Sequence, residues 1–284
     1  MIGFTKRNLK IFFRDRSSVF FSLLAVFIIL GLYVLFLGDV WTSNLKDVPG
    51  AREMMDNWII AGMLAVTTFT TSMGAFGIMI NDKTQKITKD FYSSPLSRNS
   101  IAGGYVLSAF IIALIMSVVT LVLGEIYIIA NGGTIMSLPV LLKVLVLIVL
   151  SAFVNTAIIF FIVSFFKSQN AFATASTIIG TLIGFLTGIY LPISMLPEGV
   201  QWIIKLFPVS HAAALFRQVM MEAPIASSFE GMPSENAAEF KDMMGVTFNF
   251  GDYTTTATTS TLVLIVTAVV FYGLSVYRAS LKKV

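Results

Sequence analysis

Six long apolar runs constrain this chain more than any other feature of its sequence. The hydrocarbon core of a bilayer is about 30 Å thick, so a helix that rises 1.5 Å per residue needs about 20 mostly apolar residues to cross it. The runs that reach this length are 18–37, 58–80, 101–129, 138–166, 171–191 and 256–277. We therefore predict an all-α, polytopic membrane protein with six transmembrane helices.

The composition supports a lipid environment and argues against several kinds of chemistry. Hydrophobic residues make up 56% of the 284 residues and charged residues 12%, whereas charged residues form about a quarter of a soluble domain. Without cysteine, and with His211 as its one histidine, the chain offers neither a disulfide nor a set of zinc ligands. We expect no catalytic residue, no metal site and no cofactor in this chain.

Basic residues gather on one side of the predicted membrane. Thirteen of the 19 basic residues fall in the segment 1–17, the loop 81–100, the turn at Lys167 and the tail with Arg278, Lys282 and Lys283. Asp15, Asp82 and Asp90 are the only ones of the 15 acidic residues on that side. Because short cytoplasmic loops carry an excess of Lys and Arg, we predict that both termini are cytoplasmic.

The chain shows no internal repeat and no polar linker, so we expect a single domain over 1–284. Its expected parts are an N-terminal interfacial helix (1–17), spans one to five (18–191), an extracellular region (192–255) and span six (256–277).

The segment before the first span predicts an amphipathic helix on the membrane surface. One face of this helix would carry Ile2, Thr5, Leu9, Phe12, Phe13 and Arg16, and the neighbouring face would carry Lys6, Arg7, Lys10 and Arg14. The stripe is imperfect, because Phe4 and Ile11 fall off it. Both a plain basic anchor and a helix that also touches a partner fit this pattern.

The loop between spans two and three predicts a short cytoplasmic helix. Asn81 or Asp82 can cap a helix over 83–92, and Pro95 ends it. Ile87 and Phe91 would share a face with Tyr92 beside them, whereas Lys83, Lys86 and Lys89 would stay in water. Such a helix could insert into a groove of a partner, although a solvated loop with aromatic side chains in the membrane interface fits equally well.

Two charges interrupt the apolar runs. Glu125 precedes the Asn131-Gly132-Gly133 turn and Lys143 follows it, so an antiparallel hairpin would bring them to a similar depth. We predict that they pair near the outer interface, because an unpaired charge is costly in lipid. A role of Glu125 in proton or substrate handling is the alternative.

Spans two and five carry the residues that we expect to line a transport path. Gly180, Gly184 and Gly188 make one face of span five smooth, which favours close helix packing. If spans two and five instead form a dimer interface, the path candidates are Thr67, Phe69, Thr71, Phe76, Thr181 and Phe185. Such a mixture of hydroxyl and apolar groups suits an amphipathic substrate.

Several short motifs occur in a characteristic order. Ser-Pro-Leu-Ser-Arg at 94–98 directly precedes span three, and Gly-Ile-Tyr-Leu-Pro at 188–192, with Leu-Pro at 196–197, closes span five. Phe-Pro-Val-Ser at 207–210 and Leu-Phe-Arg at 215–217 follow. With the amphipathic first helix and the helix between spans two and three, this order resembles the membrane subunits of type-2 ABC exporters, notably multidrug and antibiotic efflux permeases, over nearly the whole chain.

The resemblance implies a dimer of six-span permeases, formed with a second copy or a paralogue, in a bacterial-type cell membrane. Two copies of a cytoplasmic ATPase subunit would bind ATP and Mg²⁺. The segment 83–92 looks like the coupling helix that docks on the ATPase, with Lys83, Lys86, Ile87, Phe91 and Tyr92 as its contact residues. Family members often open this segment with an acidic pair around an arginine, and 81–85 departs from that pattern.

The resemblance also implies that the region after span five contains short half-helices that re-enter the outer leaflet. Pro197 and Pro208 divide this region, and Trp202 would anchor it at the interface. Since broken backbone at membrane depth needs protein or a wet cavity around it, Trp202, His211 and Arg217 are expected near the exit of the path. Alternatively, Arg217 pairs with Glu222 or caps a helix.

The function expected from these features is ATP-driven export of a hydrophobic or amphipathic compound. The chain contains no Gly-Lys pair and hence no phosphate-binding loop of the Gly-x-x-x-x-Gly-Lys type, which agrees with an ATPase on a separate subunit. Export of a polysaccharide, teichoic acid or lipid-linked glycan is the alternative. The second alternative, from another class, is an ion-coupled secondary transporter. It would need several carboxylates within its spans, and only Glu125, near an edge, is available.

Overall fold

A computed structural model describes residues 1–43, 45 and 48–281, and these residues are mostly helical. The helices are α1 (Ile2–Arg14), α2 (Arg16–Leu32), α3 (Gly38–Ser43), α4 (Ala51–Thr84), α5 (Ile87–Ser93), α6 (Arg98–Ala130), α7 (Leu138–Val163), α8 (Gln169–Leu186), α9 (Glu198–Leu206), α10 (Pro208–Met220), α11 (Glu222–Ser228), α12 (Ser234–Met243) and α13 (Ala257–Leu281). A π-helical turn, Tyr33–Leu37, follows α2, and a 3-10 turn, Ile193–Met195, precedes α9. Strands β1 (Asn249–Phe250) and β2 (Tyr253–Thr254) pair antiparallel. Lys282 and Lys283 of the charge pattern lie outside the described residues.

The long helices confirm the prediction of an all-α, polytopic membrane protein. Within the described part of the chain, five helical segments are long and apolar enough to cross a membrane, namely Arg16–Leu35, Ala51–Thr84, Arg98–Ala130, Leu138–Val163 and Ala257–Arg278. Helices α9 and α10 are bent by 83° at Phe207 and form a sixth candidate if they are counted as one broken span.

The predicted fifth span, 171–191, is shorter than the sequence suggests. Its helix α8 has 18 residues and is not among the five segments, since amide and hydroxyl side chains lower its hydropathy. Gly188 has a φ of 65° and ends α8 in a Schellman motif, in which the Ile189 N–H donates to the Gly184 carbonyl at 3.1 Å. The chain therefore leaves the helix before Leu191.

Helix α4 is the centre of the fold. Of its most apolar stretch, 72% is buried inside the protein, compared with 22% for the stretches in α2 and α13. Helix α4 packs against α6, α7 and α10 along most of its length, and against α2 and α8 at its side. The apolar residues of the sequence do not distinguish α4 from the other long helices. Its burial does, and it identifies α4 as the helix that connects the other elements.

Helix α1 buries a face that overlaps the predicted stripe only in part. Phe4, which falls off the predicted stripe, is buried together with Asn8 and Phe12, whereas Ile2 of the stripe is 79% exposed. Gly104 of α6 permits this packing, because a Cβ atom there would lie 2.6 Å from the Phe4 ring. The Asn8 amide also donates to the Ser108 hydroxyl at 3.3 Å. The apolar stripe on α1 thus belongs only in part to the face that contacts the protein.

Pro197 and Pro208 break the chain after α8 as predicted. Pro197 precedes α9, and Pro208 is the first residue of α10, a position where the missing N–H of proline costs no helical hydrogen bond. Phe207 between the two helices is extended, with φ −82° and ψ 126°, which is the conformation favoured before proline. Helices α9 and α10 are therefore two separate short helices.

Candidate functional site

The short helix after α4 is shifted from the predicted range 83–92. Helix α4 continues to Thr84, Lys86 adopts a left-handed φ of 63°, and α5 spans Ile87–Ser93. Lys83 belongs to α4, and its ammonium donates to the Phe166 carbonyl at 2.7 Å. The prediction that Asn81 or Asp82 caps this helix is wrong, because both residues lie within α4.

Asp82 instead accepts hydrogen bonds from two other helices. The Arg7 guanidinium of α1 donates to both carboxylate oxygens of Asp82, at 2.7 and 2.8 Å, and the Tyr105 hydroxyl of α6 donates to one of them at 2.6 Å. Asp82 is 2% exposed. Its hydrogen bond raises the pKa of Arg7 above the ordinary value. We call Arg7, Asp82 and Tyr105, with Phe4 and Phe91, the α5-end cluster.

The aromatic members of this cluster hold α5 in place. The Arg7 guanidinium carbon lies 4.9 Å from the centre of the Phe91 ring, which is cation–π distance. Phe4 meets the Phe91 ring edge to face at 5.0 Å, and Tyr105 at 4.9 Å. Phe91 of α5 thus contacts α1, and Arg7 and Phe4 of α1 in turn contact Asp82 of α4 and Tyr105 of α6.

The residues predicted to contact a partner divide into two groups in the structure. Phe91 and Ile87 are half-buried against the protein, so the predicted apolar knob points largely inward. Tyr92 is 57% exposed, with the Arg98 guanidinium 5.5 Å from its ring centre. Lys86 and Lys89 are exposed. The solvent-exposed surface of α5 therefore consists of Tyr92, Lys86 and Lys89.

A cleft of about 580 Å³ opens between α2, α4 and α8. Among the predicted path residues, Phe69 and Thr181 line this cleft. Phe185 is 41% exposed, and its ring lies 5.1 Å from that of Tyr190, which also lines the cleft. The cleft therefore brings together residues of spans one, two and five.

Three other predicted path residues lie inside the helix packing and not in this cleft. Thr67, Thr71 and Phe76 are fully buried. The Thr67 and Thr71 hydroxyls donate to carbonyls one turn earlier in α4, at 2.8 and 2.6 Å, and Phe76 stacks on Phe160 at 5.8 Å. The Thr181 hydroxyl also donates to a carbonyl one turn earlier, at 3.0 Å. The two groups therefore differ in burial, which a hydroxyl in the sequence does not reveal.

The smooth face of span five is used within the subunit at one point. A Cβ atom on Gly184 would lie 2.2 Å from the Tyr190 ring, whereas no atom lies within 4 Å of a Cβ atom on Gly180. Gly184 therefore lets Tyr190 fold back on α8 at one end of the cleft. The face around Gly180 remains open.

The predicted ion pair between Glu125 and Lys143 is not formed. A carboxylate oxygen of Glu125 accepts the Met136 N–H at 3.1 Å, within the loop that joins α6 and α7. The Lys143 ammonium is directed toward Glu222 at 3.8 Å, and both side chains are largely exposed. Glu125 thus accepts a hydrogen bond from the backbone of the loop between α6 and α7, whereas the Lys143 side chain extends away from these two helices.

The three predicted exit residues have different environments. Trp202 is 45% exposed and lies 5.6 Å from the Phe250 ring. His211 is buried, with its Nε2 2.9 Å from the Lys205 carbonyl and its Nδ1 3.1 Å from the Ser260 hydroxyl. Arg217 is 0% exposed. In this structure, Trp202 is the only one of the three that a ligand could readily reach.

Arg217 joins α10 to α4 and to two turns. Its guanidinium carbon lies 4.7 Å from the centre of the Trp58 ring, and its two terminal nitrogens donate to the Gly245 and Gly188 carbonyls at 3.4 and 3.3 Å. The predicted pairing of Arg217 with Glu222 is not observed among the described residues. Trp58 donates from its indole N–H to the Met244 carbonyl at 2.8 Å.

A second polar cluster at the opposite end of α4 was missed by the sequence reasoning. Asp56 is 3% exposed and accepts from the Arg52 guanidinium and the Tyr127 hydroxyl, both at 3.2 Å. The Arg52 guanidinium also lies 5.8 Å from the ring centre of Tyr33, in the π-helical turn. The i, i+4 spacing of Arg52 and Asp56 was the available signal. Helices α4 and α6 are thus clamped by an Asp–Tyr–Arg group at each end.

Together these features define a polytopic α-helical membrane protein. Its central helix α4 is clamped at both ends, the short helix α5 is exposed at one of these ends, and a cleft lies at the side of α4. Among the described residues, no three His, Cys, Asp or Glu side chains are placed to hold a metal ion. A family model described as ABC-2 type transporter matches residues 2–221. The chain belongs to this family, whose members are membrane permeases of ABC exporters and work with an ATPase partner. A comparison with curated proteins found no match.

Proposed function

We propose that this chain is the permease subunit of an ATP-driven exporter that moves a hydrophobic or amphipathic compound out of the cell. In this proposal a dimer of permeases lies on two copies of a cytoplasmic ATPase, which bind ATP and Mg²⁺. The α5 end of the molecule faces the cytoplasm, and residues 192–255 face outward.

The observation that carries the proposal is the attachment of α5. Helix α5 exposes Tyr92, Lys86 and Lys89. Its inward face contacts Arg7 of α1 through Phe91, and Arg7 is bonded to Asp82 of α4. A helix that is exposed on one side and packed against the protein on the other is suited to transmit force from a docked protein. The geometry therefore supports docking of the ATPase on the solvent-exposed surface of α5.

The cleft between α2, α4 and α8 supports the proposed substrate class. Phe69, Phe21 and Met73 give the cleft apolar walls, and Thr70 and Thr181 add hydroxyl groups. Such a lining binds an apolar body and orients it through a few polar contacts. The open face around Gly180 would let the second permease approach and close the cleft.

The proposed docking predicts a selective effect of Tyr92→Ala. In vesicles that contain the chain and its ATPase, we expect the ATP-driven efflux of a lipophilic dye to fall about tenfold or more, because an exposed aromatic anchor at an interface contributes about 2 kcal/mol. Tyr253→Ala is the matched control, since Tyr253 is 50% exposed and lies in strand β2, within the region proposed to face outward. Transport driven by an ion gradient without ATP would contradict the proposed function.

A further inference from the structure

Helix α1 presents three distinct faces. Phe4, Asn8 and Phe12 are buried against the protein. An apolar edge beside this face contains Ile2, which is 79% exposed, and Phe13, which is 38% exposed. The third face points away from the protein and carries Lys6, Lys10 and Arg14, which follow one another at intervals of four residues.

The third face forms a basic groove. Its volume is about 410 Å³, and it is lined by Gly3, Lys6, Arg7, Lys10, Ile11 and Arg14. No heavy atom lies within 4 Å of a Cβ atom placed on Gly3, so this glycine leaves one end of the groove open.

Arg7 pairs with Asp82, but no ion pair among the described residues neutralises the other three cations of the groove. Within residues 1–43, 45 and 48–281, no carboxylate forms an ion pair with Lys6, Lys10 or Arg14. The nearest acid in the sequence, Asp15, accepts from the Ser17 N–H and the Ser18 hydroxyl. Lys6, Lys10 and Arg14 are exposed, so they are available to an anion from outside the chain.

We propose that this basic groove binds the phosphate headgroup of an anionic phospholipid in the adjacent leaflet. The apolar edge of α1 argues for a lipid, because Ile2 and Phe13 would be covered by acyl chains when the cations lie at headgroup level. A soluble acidic protein or a nucleic acid would leave these two side chains in water. Only Asp15 separates α1 from α2, which keeps the groove at the membrane surface.

The bound lipid would also act on the α5-end cluster. Arg7 lines the groove and, through the same guanidinium, holds Asp82 and contacts Phe91. A headgroup on Lys6 and Lys10 fixes α1 and thereby the position of Arg7. This regulatory part rests on the proposed function, whereas the binding of the lipid does not.

Binding can be measured on the purified full-length chain without any ATPase. Native mass spectrometry in neutral detergent measures this binding. We expect phosphatidylglycerol to bind about tenfold more tightly than phosphatidylcholine, or more, because several basic residues together attract an anionic lipid by at least the corresponding free energy. The Lys6→Gln, Lys10→Gln, Arg14→Gln triple variant should lose this preference. The charge-conserving variant Lys6→Arg, Lys10→Arg, Arg14→Lys should keep it and shows that loss in the Gln variant is due to charge.

Three results would overturn the lipid site. They are equal binding of the two lipids, an unchanged preference in the Gln variant, and displacement of phosphatidylglycerol by millimolar inorganic phosphate, which would identify a site for the free anion. In vesicles with the ATPase, phosphatidylglycerol should raise ATP hydrolysis several-fold for the wild type and not for the Gln variant. Intact lipid binding without this stimulation would contradict only the regulatory part.

Discussion

Replacement of Asp82 by Ala is expected to uncouple the permease from its ATPase and to destabilise it. Asp82 is 2% exposed and pairs with Arg7 and Tyr105, so its removal leaves a partly buried cation without its carboxylate. We expect a loss of about 3 kcal/mol, at the low end for a broken buried pair because the Arg7 side chain is 30% exposed. Stimulation of ATP hydrolysis by substrate should fall about tenfold or more.

The two effects can be separated by milder substitutions. Asp82→Asn keeps the size of the side chain, and Tyr105→Phe removes one hydrogen bond, so both should yield more folded protein than Asp82→Ala. We expect Asp82→Asn to fold and still to couple poorly, because a neutral amide cannot hold the guanidinium through two charged bonds. Asp252→Ala, in the exposed turn between β1 and β2, is the matched control. Normal coupling in folded Asp82→Asn would refute the role of the α5-end cluster.

The largest loss of stability is expected for Trp58→Ala. Trp58 is completely buried, donates to the Met244 carbonyl at 2.8 Å and covers the Arg217 guanidinium at 4.7 Å. Truncation of a buried tryptophan costs about 3–5 kcal/mol through the cavity that it leaves, and here it also leaves Arg217 without its aromatic partner. Thermal unfolding of the purified protein in detergent measures this loss.

Trp202→Ala is a stringent control for that experiment. Trp202 is 45% exposed, so its truncation should lower the free energy of unfolding by no more than about 1 kcal/mol. The sequence had singled out Trp202 and not Trp58. Equal destabilisation by the two substitutions would show that Trp58 does not connect α4, α10 and the turn at Gly245 as described.

The sequence was sufficient for the features that depend on composition and local chemistry. Apolar length predicted the spans, and Pro197 and Pro208 predicted the break between α9 and α10. The end of α8 was misplaced, because Gly188 closes a Schellman motif before the apolar run has ended. A glycine inside an apolar run has no unique meaning in the sequence, since it also permits close helix packing.

The candidate site was harder to predict because its contacts join distant parts of the chain. Arg7 and Asp82 are 75 residues apart, and in the sequence Asp82 is equally suited to cap a helix. Glu125 and Lys143 had the right hairpin spacing, but the Met136 N–H and Glu222 were nearer partners. Thr67 and Thr181 look alike as sequence, and both hydroxyls donate to a carbonyl one turn earlier, yet Thr67 lies in the helix packing and Thr181 lines the cleft.

The central claim is that α5 docks on a cytoplasmic ATPase, and cysteine labelling tests it most directly. The chain contains no cysteine, so Tyr92→Cys and, as a control at an exposed residue of the region proposed to face outward, Glu230→Cys each provide a single thiol. We predict that an impermeant maleimide labels only the Glu230→Cys variant in intact cells. In inside-out vesicles it should label Tyr92→Cys, and the bound ATPase should prevent this. Labelling of Tyr92→Cys in intact cells, or labelling that the ATPase does not affect, would contradict the account.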